Sequence, residues 1–69
     1  MTLQPVNSSN LAGVGYDAES QTLTIEFRKS DTYEFYDVPE SVYQELMSAG
    51  SLGEYFANSI RGKYRYAKS

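Results

Sequence analysis

Apolar and polar residues alternate along three short stretches in the first half of the chain, residues 10–16, 22–28 and 32–36. Turn-forming polar residues such as Asp and Ser separate these stretches. The faces expected to be apolar comprise Leu23, Ile25 and Phe27 in the second stretch and Tyr33 and Phe35 in the third. A sheet this small has only one buried face, so the pattern predicts an antiparallel meander of three strands.

The first strand and the end of the third are less regular. In residues 10–16, alternation groups Val14 with Tyr16 and Ala12, and it places Leu11 on the opposite face with Gly13 and Gly15. Tyr36 falls on the polar face of the third strand, where two interpretations stay open. It either packs over the bare backbone of the two glycines or makes a surface contact with a partner.

The hydrophobic period changes from two to nearly four at Pro39, which predicts a helix. Pro39 suits a first helical position because the N–H that it lacks has no helical acceptor there. The apolar stripe that follows contains Val42, Leu46 and Ala49. Gly50 is the predicted end of this helix, in the left-handed conformation that glycine favours.

A second helix is predicted to begin directly after the first. Ser51 and Glu54 have the spacing of a capping box, in which two side chains satisfy free amides at a helix start. Its apolar stripe comprises Leu52, Tyr55, Phe56 and Ile60. Gly62 is the predicted end, and residues 63–66 then alternate cations with tyrosines, which indicates a short last strand or an extended tail.

These elements define an α+β class with three strands, two helices and an optional fourth strand, in the order βββαα(β). The 69 residues allow one domain, residues 1–69, in which residues 1–9 are expected to form a loose lead-in. The chain has no Cys and no His, which excludes disulfides and metal sites built from those residues. We expect no cofactor. The sequence also has no apolar run of membrane-helix length and no export signal, so we expect a cytoplasmic protein.

Charge is divided unevenly along the chain. Residues 1–54 hold all nine carboxylates and only Arg28 and Lys29, a net charge of −7. Residues 55–69 carry no acid and a net charge of +4, from Arg61, Lys63, Arg65 and Lys68. This basic tail either neutralises carboxylates of its own domain or binds an anionic partner.

Two binding functions fit this pattern. The first is RNA or tRNA binding, because the four cations of the tail alternate with Tyr64 and Tyr66. Cations bind phosphates, and tyrosine rings stack on unpaired bases. The alternative is a protein partner, which would contact exposed tyrosines or a free strand edge. Strict alternation would put the tyrosines and the cations on opposite faces, so both sets could contact one RNA strand only if the tail is not a flat strand.

Catalysis is not expected. General acid–base chemistry at neutral pH most often uses His, which is absent. Ser8 and Ser9 have no basic partner nearby in the sequence, as a nucleophilic serine requires. The carboxylate pairs, such as Asp17 with Glu19, lie at predicted turns and helix starts, where local hydrogen bonding accounts for them.

The chain resembles the KTSC family, a domain of about sixty residues that is named for its place at the C-terminus of some lysyl-tRNA synthetases. The resemblance is carried by Ser8–Ser9 and by residues 14–17, 23–27, 33–39, 49–56 and 60–64, in that order. The matching positions to which we assign a structural role are Tyr16, Tyr33, Phe35, Pro39, Ser51, Gly53, Tyr55 and Phe56.

The resemblance implies a non-catalytic module of uncharacterised function. The synthetase connection points toward RNA, in the same direction as the basic tail. One departure concerns the central Tyr-x-Tyr motif of the family, which is Tyr33-Glu34-Phe35 in this chain. A role that needs the second hydroxyl is therefore not expected here, whereas a packing role for Phe35 is.

Overall fold

Five strands and two helices follow one another in a computed structural model that describes residues 3–8 and 10–68. The elements are β1 (Gln4–Pro5), β2 (Leu11–Asp17), β3 (Thr22–Phe27), β4 (Thr32–Phe35), α1 (Glu40–Ser48), α2 (Leu52–Tyr55), a π-helical turn (Phe56–Ile60) and β5 (Tyr66–Lys68). The strands form one antiparallel sheet in the order β1-β2-β3-β4-β5. The α+β class and the central meander are confirmed, and the strand count is corrected to five.

The two additional strands lie at the ends of the chain. β1 falls inside the predicted lead-in, of which residues 1, 2 and 9 lie outside the described part of the chain. It has only two residues, one of them proline, so it shows no alternation that a sequence pattern reveals. β5 begins at Tyr66, later than predicted, because Lys63 closes a turn by donating its N–H to the Ile60 carbonyl at 3.0 Å.

A β-bulge corrects the predicted faces of β2. Leu11 pairs with Phe27 and Gly13 pairs with Glu26, so Ala12 is an extra residue between them. An extra residue reverses the alternation. Leu11 therefore joins Val14 on the buried face, fully enclosed, and not on the glycine face where simple alternation placed it.

The core lies between the sheet and the two helices. It consists of Leu11, Val14, Leu23, Ile25, Phe35, Val38, Leu46 and Ile60. Phe27 and Tyr33, which were predicted to be core residues, are half-buried at its margin. Thr24 was predicted on the exposed face, yet it is only 6% exposed. The reason is that Thr24 lies on a central strand, where it is paired with Gly15 on one side and with Glu34 on the other.

The helix boundaries differ from the prediction in part. Pro39 immediately precedes α1 with an extended backbone, so it lies one residue before the first helical position. α1 ends at Ser48, and Ala49 is extended, so Gly50 does not end the helix in a left-handed conformation. The Ser51 half of the predicted capping box is present, because the Ser51 hydroxyl accepts a hydrogen bond from the Glu54 N–H at 3.3 Å. Gly62, the predicted end of the second helix, lies two residues after Ile60 and is left-handed, with φ of 79°. No helix in the described residues is long and apolar enough to cross a membrane.

The second helix is irregular, which the sequence pattern did not predict. From Phe56 it widens into a π-helical turn, in which the Arg61 N–H donates to the carbonyl of Phe56, five residues earlier, at 2.9 Å. The turn keeps Ile60 fully buried and leaves Phe56 half-buried at the surface. Arg61 follows directly and is exposed.

A polar clamp joins the two helices. The Tyr55 hydroxyl donates to the Glu45 carboxylate at 2.7 Å, and this bond is the main cause of a raised pKa at Tyr55. Because the pKa of Tyr55 is raised in the folded state, this hydrogen bond stabilises the fold at pH values below the usual tyrosine pKa of 10.0. The stabilisation is lost as the pH rises through the higher pKa of the folded state.

We expect Glu45→Gln to lower the pKa of Tyr55 toward its usual value, because the amide carries no charge that favours the neutral phenol. Titration of the Tyr55 ring signals by NMR measures this shift. Glu54→Gln is the matched control, since Glu54 is exposed and is not the carboxylate that accepts from Tyr55. An unchanged Tyr55 pKa in Glu45→Gln would contradict the clamp.

Candidate nucleic-acid interface

Five aromatic side chains form a closed circle of pairwise contacts on the helix-facing side of the sheet. Neighbouring ring centroids are 5.4 to 5.8 Å apart. The order around this circle of contacts is Phe27, Tyr33, Tyr66, Phe35 and Phe56. All five side chains line one hollow of about 470 Å³, together with Ser30, Arg61 and Gly62. We call this hollow the aromatic basin.

Strand pairing explains how β5 contributes to the basin. Tyr66 lies opposite Phe35, and Lys68 lies opposite Tyr33, so both side chains share the face of those two rings. Tyr66 is 58% exposed, whereas Phe35 is only 4% exposed. The basin therefore has a buried floor at Phe35 and an exposed wall at Tyr66.

A second hollow of about 390 Å³ adjoins the basin and shares four of its lining residues, Phe27, Ser30, Phe56 and Arg61. It adds the cations Arg28 and Lys29 from the connection between β3 and β4. We call the set Arg28, Lys29 and Arg61 the basic cleft. Among the described residues that line the two hollows there is no Asp or Glu, so the continuous groove is aromatic on one side and positive on the other.

Arg28 is held in place by backbone contacts. Its Nε donates to the Ser8 carbonyl at 2.6 Å, and a terminal nitrogen lies 3.5 Å from the Val6 carbonyl. The Ser8 hydroxyl in turn accepts from the amides of Asn10 and Leu11, each at 3.3 Å. Ser8 is thus a structural residue that fixes the segment beside the cleft, and Ser9 lies outside the described residues.

The structure brings together part of the predicted binding set. Arg61 and Tyr66 line the aromatic basin, and Lys68 lies at its edge with its ammonium 3.0 Å from the Asp31 carboxylate. That hydrogen bond raises the pKa of Lys68. Lys63 is exposed in the turn after the helix, and Tyr64 is half-buried against the core.

Two predicted contact residues lie on the other face of the sheet. The Arg65 guanidinium is 5.6 Å from the centre of the Tyr36 ring and 3.8 Å from the Asp37 carboxylate. The Tyr36 hydroxyl donates to Glu34 at 3.3 Å. Arg65 is not locked in this ion pair, because its side chain is 78% exposed. Tyr36 and Arg65 therefore form a surface cluster with nearby acids, separate from the groove.

The predicted structural residues organise the link between sheet and helices. The Tyr16 hydroxyl donates to the Val38 carbonyl, and its ring stacks on Tyr43 with centroids 5.0 Å apart. Burial is the main cause of a raised pKa at Tyr16. Gly53 allows a close approach, because a Cβ there would lie 3.2 Å from the Asn10 side-chain nitrogen.

The sequence pattern did not indicate Phe27, Arg28 and Lys29 as groove residues. Phe27 looked like an ordinary core residue, since it alternates with polar neighbours. The signal for the two cations was that they are the only ones in an acidic segment of 54 residues. Their position beside Arg61 depends on the π-helical turn packing near the end of β3, as the Phe27–Phe56 contact shows.

Comparisons with known proteins agree with this architecture. A family model described as "KTSC domain" matches residues 7–64. The chain is 45% identical over 51 residues to a lysine–tRNA ligase of Trichormus variabilis, covering 74% of this chain but only 9% of the ligase. It is 35% identical over 63 residues to a protein of Tsukamurella paurometabola, covering 91% of this chain and 94% of that protein.

A crystal structure of a KTSC domain protein from Yersinia pestis superposes with a TM-score of 0.97 at 41% identity, covering 99% of this chain and 96% of that chain. The fold is thus that of a small α+β module that occurs both as a short protein and as a small part of larger ligases. The chain belongs to the KTSC domain family.

Proposed function

We propose that this protein is a non-catalytic RNA-binding module, with tRNA as the foremost candidate ligand. One observation carries the proposal. The aromatic basin and the basic cleft form one groove that supplies rings for bases and three cations for phosphates, with no carboxylate among its described lining residues. The similarity to part of lysine–tRNA ligases points to the same kind of ligand. The proposal retains the cytoplasmic location that the sequence predicts.

The distribution of charge supports binding at the groove and not over the whole surface. The protein has a net charge of −3, so its overall field repels nucleic acid. Binding therefore depends on a local concentration of cations. Three phosphate contacts with a single strand predict a slope of roughly −2 in log K against log salt.

A matched pair of charge reversals tests the proposal. Arg61→Glu is expected to weaken the binding of labelled RNA about tenfold or more at about 50 mM salt, since Arg61 lines both hollows. Arg65→Glu makes the same charge change four residues away but on the other face, so a much smaller loss is expected. Fluorescence anisotropy with RNA hairpins and single strands at two salt concentrations measures both.

Equal losses in the two variants would contradict the groove as the binding site. No association of the wild-type protein with any RNA at low salt would eliminate the proposal. The second candidate function, binding of a protein partner, would then stand. The observation that favours it is β5, an exposed strand at one end of the sheet order, whose outer edge is a place where another chain could add a strand.

A further inference from the structure

We propose that the aromatic basin holds an unpaired base while the basic cleft binds the adjoining phosphates, so that the protein selects single-stranded over double-stranded RNA. This inference rests on the proposed function and assigns a ligand class to the groove. It includes Phe27, Arg28 and Lys29, which lie outside the basic tail, and also Phe56.

The basin has the size and lining of a ligand site. Its volume of about 470 Å³ lies within the range of roughly 300 to 1,000 Å³ that small-molecule sites occupy. Its neighbouring rings meet at interplanar angles of 34 to 79°, so none of these neighbouring pairs stacks in parallel. Tyr66 is 58% exposed and offers a wall against which a base can stack.

The position of Arg61 connects the two halves of the groove. Arg61 lines both the basin and the cleft, so a phosphate next to a base in the basin lies within its reach. Lys29 and Arg28 continue the positive surface away from the basin. The groove therefore offers a base site followed by a phosphate track, which is the arrangement that single-strand-binding proteins use.

A duplex does not fit this arrangement. Paired bases are stacked inside the helix, and proteins recognise double-stranded RNA mainly by contacts to the backbone across a wide surface. The opposite face of the sheet cannot extend such a surface, because it carries the carboxylates of Glu26 and Glu34 and the Arg65–Asp37 pair. The cations proposed to contact phosphates therefore all lie along one groove.

Three RNA probes of equal length test the inference by anisotropy: an unstructured single strand, the same strand with abasic sites, and its duplex with a complementary strand. We expect the single strand to bind at least tenfold more tightly than either of the others. Tyr66→Ala should weaken binding of the intact single strand about tenfold and leave binding of the abasic strand unchanged. Tyr66→Phe should retain the stacking and therefore the affinity for the intact strand. Tyr36→Ala, on the other face of the sheet, should change the affinity for neither the intact nor the abasic strand.

The outcomes separate this inference from the proposed function. Equal affinity for duplex and single strand, or for intact and abasic strands, would overturn base insertion and leave RNA binding in place. Failure of all three probes to bind would overturn the proposed function itself. Should Tyr66→Ala not fold by circular dichroism, the three probes on the wild-type protein still decide the inference.

Discussion

Phe35→Ala is expected to lower the free energy of unfolding by about 3–5 kcal/mol. Phe35 is 4% exposed, and its ring contacts the rings of Phe56 and Tyr66 at 5.4 and 5.6 Å. It also lies opposite Leu23 across the sheet. A domain of this length has a total stability of only a few kcal/mol, so the variant should be largely unfolded at room temperature. Circular dichroism of the variant without denaturant measures its folded fraction, and urea denaturation of the wild-type protein gives the reference stability.

Two controls separate loss of packing from loss of a ring in general. Tyr66→Ala removes an aromatic residue of the same basin, but its side chain is 58% exposed, so we expect a loss of about 1 kcal/mol or less. Phe35→Tyr keeps the ring and most of its packing, so its loss of stability should be much smaller than that of Phe35→Ala. A Phe35→Ala variant within about 1 kcal/mol of the wild type would contradict the role of Phe35 as the floor of the basin.

Alternation identified the central strands because each presents one face to the core. Leu23 and Ile25 are fully buried, as their spacing predicts. Two kinds of element escaped the pattern. β1 is too short to alternate, and the bulge at Ala12 changes the face of Leu11 without any change in the hydrophobic character of the residues.

The candidate groove was only partly predictable for a related reason. Its cations come from two distant segments, the connection after β3 and the end of the π-helical turn. The basic tail forms one patch in the sequence, but strand geometry sends neighbouring residues to opposite faces. Tyr66 consequently joins the basin, whereas Arg65 lies over Tyr36. Tertiary pairing, and not composition, decides which cation belongs to the groove.

Ile60→Ala is expected to cost about 2–5 kcal/mol, since Ile60 is fully buried and truncation leaves a cavity. Ile60 ends the π-helical turn, and Arg61 follows it at the junction of the basin and the cleft. The same substitution should therefore also displace Arg61. Chemical denaturation gives the loss of stability, and RNA anisotropy gives the apparent affinity.

The controls distinguish the two effects of Ile60→Ala. Asn58→Ala, in the same turn but exposed, should change stability by no more than about 0.5 kcal/mol. Leu46→Ala creates a cavity at an equally buried site on α1, which lines neither hollow. In Leu46→Ala the apparent RNA affinity should fall only in proportion to the folded fraction. In Ile60→Ala the apparent RNA affinity should fall further than the folded fraction, because the molecules that remain folded hold Arg61 in a less suitable position. An RNA affinity that falls only with the folded fraction in both variants would show that the turn does not position Arg61.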